Sequence, residues 1–210
     1  MKSSDPELEK IKNYFVEKLE QHGATPRGVD YNSAESQYIR FDQLIKVVDT
    51  NVEYSLLDFG SGYGGMYDYL KGLGHNLRYI GYDIAEPMID KGRELHSNDS
   101  ACKFVSRIED APMVDYSVVS GTFNIKLDAD FDAWTQVIIE SLYKMNERSR
   151  KGMSFNMLTR YSDPEKMRPD LYYADPLFFF DFCKKNFSRN VALLHDYGLY
   201  DFTILVRKDV

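Results

Sequence analysis

The chain has 210 residues, enough for one domain on the usual prior of ~100–200 residues and for a core that needs no disulfide staples. Hydrophobic residues at 43% and charged residues at 28% are ordinary globular usage, so stability forces no unusual feature. The net charge of −7, with Lys and Arg scattered, argues against a nucleic-acid partner.

Cys102 and Cys183 stand far apart in sequence and are expected to be reduced core thiols. The chain has no CxxC pair, which excludes a zinc finger or a cysteine-ligated iron–sulfur cluster, and no metal is expected. Met1 to Lys10 lacks the apolar core of a signal peptide, and no run approaches the ~18 apolar residues of a membrane span. The cytoplasm is the expected compartment.

Asp5-Pro6-Glu7 reads as an N-cap, an N1 proline and an early acid, and Leu8, Ile11, Phe15 and Leu19 follow at helical spacing until Gly23. Thr25 to Asn32 is a loop. A second helix starts near Ser33, with Ile39, Leu44, Ile45 and Val48 on its apolar face. Residues 1–50 are thus a helical cap belonging to the same domain as residues 51–210.

Then the pattern changes. Tyr54 to Phe59 is a short apolar run that stops in glycines, a buried strand. Met66–Leu73 reads as helix, Leu77–Tyr82 as strand, Glu86–His96 as helix, and Cys102–Val105 and Tyr116–Ser120 as strands. Phe131–Met145 is a long amphipathic helix, Gly152–Leu158 a fifth strand, and Pro176–Asn186 a further helix. Val191–Tyr197 and Tyr200–Val206 read as two strands joined tightly at Gly198. The fold class is therefore α/β: a Rossmann-like, doubly wound, mostly parallel seven-stranded sheet with a C-terminal antiparallel hairpin and two N-terminal helices. Tyr161 to Asp175 is a longer loop, of a length that is often functional.

The chemistry concentrates after the first strand, in Asp58-Phe59-Gly60-Ser61-Gly62-Tyr63-Gly64-Gly65. Glycines here let the chain turn tightly and let a ligand lie against bare backbone at a helix N-terminus. Gly60, Gly62 and Gly65 also fit the dinucleotide fingerprint, so a NAD(P)-dependent oxidoreductase is an alternative. Asp58 weighs against it, because a pyrophosphate would meet a like charge there, whereas a zwitterionic amino acid would find its ammonium a partner. Asp83 ends the second strand where a carboxylate accepts from ribose hydroxyls.

These segments resemble the class I S-adenosylmethionine-dependent methyltransferases. Leu56 to Gly64 is similar to the family's first motif and Tyr79 to Met88 to its second. Asp115 to Ser120 resembles the fourth-strand motif, and the closing hairpin matches the terminal reversed strand. The resemblance implies S-adenosyl-L-methionine as cofactor. Gly60, Ser61 and Gly62 would back its methionine part, Asp58 would help hold the ammonium, Asp83 would bind the ribose and Ile84 would lie against the adenine. Ile108 would form an adenine wall with Glu109 beside it, and Ser120 would lie at the reactive end. A catalytically inactive cofactor-binding module is the second alternative.

Methyl transfer needs an aligned acceptor and a dry site beyond the strand ends. The segment Ser120 to Asn124 lacks the Asn/Asp-Pro-Pro-aromatic motif used on amide and adenine nitrogens. The expected acceptor is a small-molecule oxygen or nitrogen. Asn124, Tyr161 and Tyr173 are candidates for catalysis, and Tyr31, Arg40, Arg160 and Tyr172 for holding substrate, with Gln37 and Arg168 nearby. His195 is expected to be structural. Nothing in the sequence points to an oligomeric state.

Overall fold

The computed structural model describes residues 6–208, so the N-cap expected at Asp5 lies outside them. Helix α1 spans Pro6–His22, and a 3-10 turn follows at Pro26–Val29. Ser33 caps helix α2, Ala34–Ile45, by accepting from the Ser36 amide at 3.1 Å.

The alternating body then runs β1 Tyr54–Phe59, α3 Gly65–Gly72, β2 Leu77–Tyr82, α4 Glu86–Leu95, β3 Cys102–Val105 and β4 Val114–Val119. It continues with α5 Phe131–Arg148, β5 Ser149–Leu158, α6 Pro176–Asn186, β6 Asn190–Leu194 and β7 Asp201–Arg207. The seven strands are ordered β3-β2-β1-β4-β5-β7-β6. The pairs β1–β2, β2–β3, β1–β4 and β4–β5 are parallel, and β7 runs antiparallel to both β5 and β6. This is the mostly parallel, doubly wound sheet with a reversed C-terminal strand that the sequence leads one to expect.

Strand alternation sorts the core into two layers. Leu57, Phe59, Ile80 and Tyr82 point to one face, in one core cluster with Ile11 of α1 and Trp134 and Ile138 of α5, and Phe179 of α6 extends it over Phe155 of β5. Their neighbours Tyr54, Leu56, Leu77 and Tyr79 point to the other, under Phe41 and Leu44 of α2, Leu70 of α3 and Ile89 of α4. Each fully buried side chain of this size contributes ~1.5–3 kcal/mol of transfer free energy.

Several boundaries differ from the sequence reading, most of them by a single residue. β4 begins two residues early, at Val114. β5 begins at Ser149, because α5 passes straight into it: Ser149 is both the residue that ends the helix and the first of the strand. The closing strands do not meet tightly at Gly198. β6 stops at Leu194, and the chain bends over 195–200, with Gly198 at φ 72°. The exposed pair His195-Asp196 has no sheet face to occupy.

Ligands of open α/β sheets lie where the strand order reverses, beyond the carboxyl ends of the strands. Here that place is between β1 and β4, below the segment that joins α1 to α2.

Candidate active site

The turn after β1 holds the backbone in a shape other residues avoid. Gly60 has φ 79° and Gly62 φ 54°. A Cβ on Gly60 would lie 2.2 Å from the Thr122 hydroxyl, and one on Gly62 would lie 2.7 Å from Val29. The amides of Gly60 and Ser61 both donate to the Tyr82 carbonyl, at 2.7 and 2.9 Å, tying the loop to the end of β2.

Asp83 fastens the same loop from its other side. Its Oδ2 accepts from the Gly62 amide and its Oδ1 from the Ala85 amide, both at 2.9 Å. Burial raises the Asp83 carboxyl above its usual range, against the pull of these backbone donors. A carboxylate has roughly four acceptor positions, so Asp83 keeps capacity for a ligand's hydroxyls.

Asp58, the penultimate residue of β1, is only 3% exposed and accepts from the Tyr79 hydroxyl at 2.6 Å. Burial pushes its carboxyl up to about 7, while Tyr79 pulls the other way and Asp83 adds like-charge repulsion. Both acids line one cavity together with Gly60, Ser61, Gly62, Tyr63 and Ile84.

The segment before the sheet closes this cavity. The Tyr31 hydroxyl lies 2.7 Å from Ser120 Oγ, joining the cap to the end of β4. Arg40 lies over the Tyr31 ring at 5.4 Å and donates from Nε and Nη2 to the two Asp201 oxygens at 3.0 and 2.6 Å. Its Nη1 donates to the Ser36 carbonyl. Gln37, one turn earlier, is 4% exposed and lines the cavity, and its amide has no hydrogen-bond partner among the described residues.

The turn after β4 is held from β5. Asn156, fully buried, accepts from the Gly121 amide at 2.8 Å and donates to Ser120 Oγ at 3.4 Å. Asn124 lines the cavity, but its Oδ1 accepts from the Leu158 amide at 2.9 Å. That contact gives Asn124 a positioning task in the turn.

The structure therefore brings together Tyr31, Arg40, Asp58, Gly60, Ser61, Gly62, Asp83, Ile84, Ser120 and Asn124. The other expected residues lie elsewhere. Ile108 is packed in the core, and Glu109 is exposed beside Arg107. Tyr161 is 62% exposed, against the His195 ring. Tyr172 is buried, with its hydroxyl 2.7 Å from Thr135 and its ring stacked on Phe131. The Tyr173 hydroxyl accepts from the Arg168 amide, and Arg160 pairs with Asp175. The aromatic loop thus packs on α5, on the bend at 195–200 and on itself, although Arg168, paired with Asp170, reaches the cavity wall.

Sequence reasoning missed the walls supplied by Leu8, Ile11 and Phe15 of α1 and by Trp134 and Val137 of α5. It also missed Asp201, whose only sequence signal is an acid at the head of the apolar run Phe202 to Val206.

Chemically, the loop end of this cavity offers bare backbone, two carboxylates and an unpartnered amide. The guanidinium nearest to it is neutralised by Asp201. That set suits a ligand with hydroxyls and an ammonium, and it repels a pyrophosphate.

No family model matches the chain. Over 164 residues it is 44% identical to a Mycobacterium tuberculosis protein named "Putative methyltransferase Rv1506c", covering 78% of this chain and 99% of that one. Among solved structures, the Burkholderia thailandensis 1,6-didemethyltoxoflavin-N1-methyltransferase, with bound 1,6-didemethyltoxoflavin and S-adenosylhomocysteine, matches with a TM-score of 0.67 at 17% identity. That match covers 99% of this chain and 92% of that one. DhpI in complex with S-adenosylhomocysteine matches at 0.63 and 14% identity, over 98% of each chain. Mycolic acid cyclopropane synthase CmaA1, complexed with S-adenosylhomocysteine and CTAB, matches at 0.61 and 12% identity, over 98% of this chain and 99% of that one. At these identities the solved structures share the fold.

Proposed function

The chain belongs to the class I S-adenosylmethionine-dependent methyltransferases, and from that membership we propose that it methylates an oxygen or nitrogen of a small molecule. The observation that carries the site assignment is Asp83, which clamps the Gly62 amide and faces the same cavity as the buried acid Asp58.

S-adenosylmethionine supplies a methyl group already activated on a positively charged sulfur. The residues present fit such a cofactor. Gly60 to Gly62 would back its amino-acid part, where a side chain at Gly60 or Gly62 would collide with Thr122 or Val29. Asp58 would hold the ammonium, Asp83 would accept from the ribose hydroxyls, and Ile84 would lie against the base. Gln37, with its amide unspent, would donate to the carboxylate. Ser120, held by Tyr31 and Asn156, stands at the end of β4, where the acceptor arrives.

No histidine lines the cavity among the described residues. Tyr161 and Tyr173 lie away from it. The protein's contribution is therefore alignment and exclusion of water by α1 and the Tyr31–Arg40 segment. Ser120 and Asn124 would orient the acceptor.

The nicotinamide alternative gives way to the family membership and to Asp58. No helix of the described residues is long and apolar enough to cross a membrane. Cys102 and Cys183 are both buried and unpaired, which suits a cytoplasmic enzyme.

Calorimetric titration with S-adenosylhomocysteine tests the cofactor site, on wild type and Asp83→Ala. Binding by wild type and at least roughly tenfold weaker binding by the variant are expected, since hydrogen bonds to a charged group contribute ~1.5–3 kcal/mol. Unchanged binding by the variant would remove Asp83 from the site.

A further inference from the structure

The cavity is also lined by side chains of α1 and α5 to which no ligand contact has been assigned. Leu8, Ile11 and Phe15, spaced three and four apart, form one stripe of α1, and Trp134 and Val137 form a stripe of α5. Both stripes line the cavity.

The fold explains why there is room. Between β3 and β4 the chain makes only a 3-10 turn, Ile108–Asp110, where the alternating rhythm would place a helix. α1 covers this face instead, with Ile11 in the same cluster as Ile80, Tyr82 and Trp134. Ile11 is the one fully buried residue of α1. Rim contacts hold the rest: Lys10 to Asp128 at 2.9 Å, Lys18 to Asp30 at 2.7 Å, and the Tyr14 hydroxyl to Asp30 at 2.8 Å.

Along α5 the lining runs on to Ser141 and the exposed Lys144, ~15 Å from Trp134 at 1.5 Å per residue. The Ser141 hydroxyl is spent on the Val137 carbonyl. No lining side chain of α1, nor of α5 before Ser141, can offer a ligand a hydrogen bond except through the indole of Trp134, which already donates to the Phe123 carbonyl at 2.9 Å. The channel walls from α1 and α5 are therefore apolar as far as Ser141, with Asp30 and Arg168 supplying polar groups at the edge of α1.

We infer that this channel takes an alkyl chain of the methyl acceptor, so that the substrate is an amphiphile whose polar end is methylated beside Ser120. The inference rests on the methyltransferase reading for the direction of the acceptor. Occupancy of the channel is separately measurable.

Trp134 is the only tryptophan in the sequence, so its emission reads the channel directly. The full chain is titrated with straight-chain carboxylates from butanoate to dodecanoate, below their micelle concentrations, with and without S-adenosylhomocysteine. A saturable change in emission is expected. Affinity should rise by up to roughly fourfold per methylene while the chain is being buried, the equivalent of ~0.8 kcal/mol each. Val137→Phe and Leu8→Phe narrow the channel and should each weaken dodecanoate at least roughly tenfold, with S-adenosylhomocysteine affinity unchanged within about twofold.

Affinity that does not depend on chain length, or full affinity in both narrowed variants, overturns the inference. If a variant misfolds, the wild-type series still decides. If wild type binds no S-adenosylhomocysteine, the cofactor assignment falls, while the chain-length series still reports on the channel.

Discussion

Arg40 on α2 and Asp201 at the head of β7, 161 residues apart in sequence, form a two-pronged ion pair with Asp201 fully buried. The pair locks the cap over the sheet. It also holds Arg40 against the face of the Tyr31 ring, and Tyr31 in turn touches Ser120. Arg40 is thus a positioning residue, and its charge is not free to meet a ligand.

Asp201→Ala should therefore destabilise the protein by about 3–5 kcal/mol, because it leaves a mostly buried guanidinium uncompensated. The double variant Arg40→Met/Asp201→Leu should cost less than Asp201→Ala alone, since it removes both charges. Urea unfolding of the single and double variants measures this. Equal losses in both would show that packing around the pair, and not its charge, carries the stability.

Much of the frame was legible in the sequence because local signals there agree. β1, β2 and β3 match their apolar runs residue for residue, each bounded by glycine or a polar turn. The helix at Ser33 carried its own cap. Long-range pairing was not legible. Arg40 read as a ligand contact because only the insertion of β7 beside β5 reveals Asp201 as its partner. Tyr161, Tyr172 and Tyr173 read as pocket walls because aromatic side chains at a strand end satisfy that pattern equally well when they pack on a neighbouring helix, a bend or their own loop. The wall from α1 was illegible for a further reason: its stripe at 8, 11 and 15 is that of any amphipathic helix, and only the missing helix after β3 gives it this face.

The second prediction concerns Gly60. Gly60→Ala meets both a positive φ of 79° and Thr122 at 2.2 Å, whereas Gly74→Ala meets a similar φ of 82° and open space. Gly74→Ala should cost about 1–2 kcal/mol from backbone strain alone. Gly60→Ala should cost more and should also weaken S-adenosylhomocysteine, because the loop must shift to clear Thr122. Paired denaturant curves and titrations separate the two effects, and equal costs would dismiss the collision.

The third is a pH dependence set by Asp58. Burial raises its folded-state value to about 7, above the ~3.9 of an exposed aspartate in the unfolded chain. The native state therefore holds the proton more tightly. Its stabilising contribution is complete below pH ~4 and is lost as pH rises toward 7. Asp58→Asn should remove that decline from the stability profile. A ligand ammonium favours the carboxylate, so S-adenosylhomocysteine affinity should rise from pH 6 to 8, with proton release on binding below pH 7. Calorimetry in buffers of different ionisation enthalpy counts that proton, and a flat profile would take Asp58 out of contact with the ligand.

The last prediction separates a ligand contact from a structural one at Gln37. A buried amide that supports the fold does so through hydrogen bonds, and removing it typically costs ~1–3 kcal/mol in groups left unpaired. Gln37 has no such partner among the described residues, though it is 4% exposed and faces the cavity. Gln37→Leu keeps the bulk and removes the amide. Stability should then stay within about 1 kcal/mol of wild type, since the amide makes no side-chain hydrogen bond within the fold that would be lost. Affinity for S-adenosylhomocysteine should fall by roughly tenfold, the value of one hydrogen bond to a charged group. The two measurements move apart only if the amide is reserved for a ligand. A stability loss matching the affinity loss would assign Gln37 to the packing of α2, and unchanged affinity would leave the cofactor carboxylate to be held by the loop amides alone.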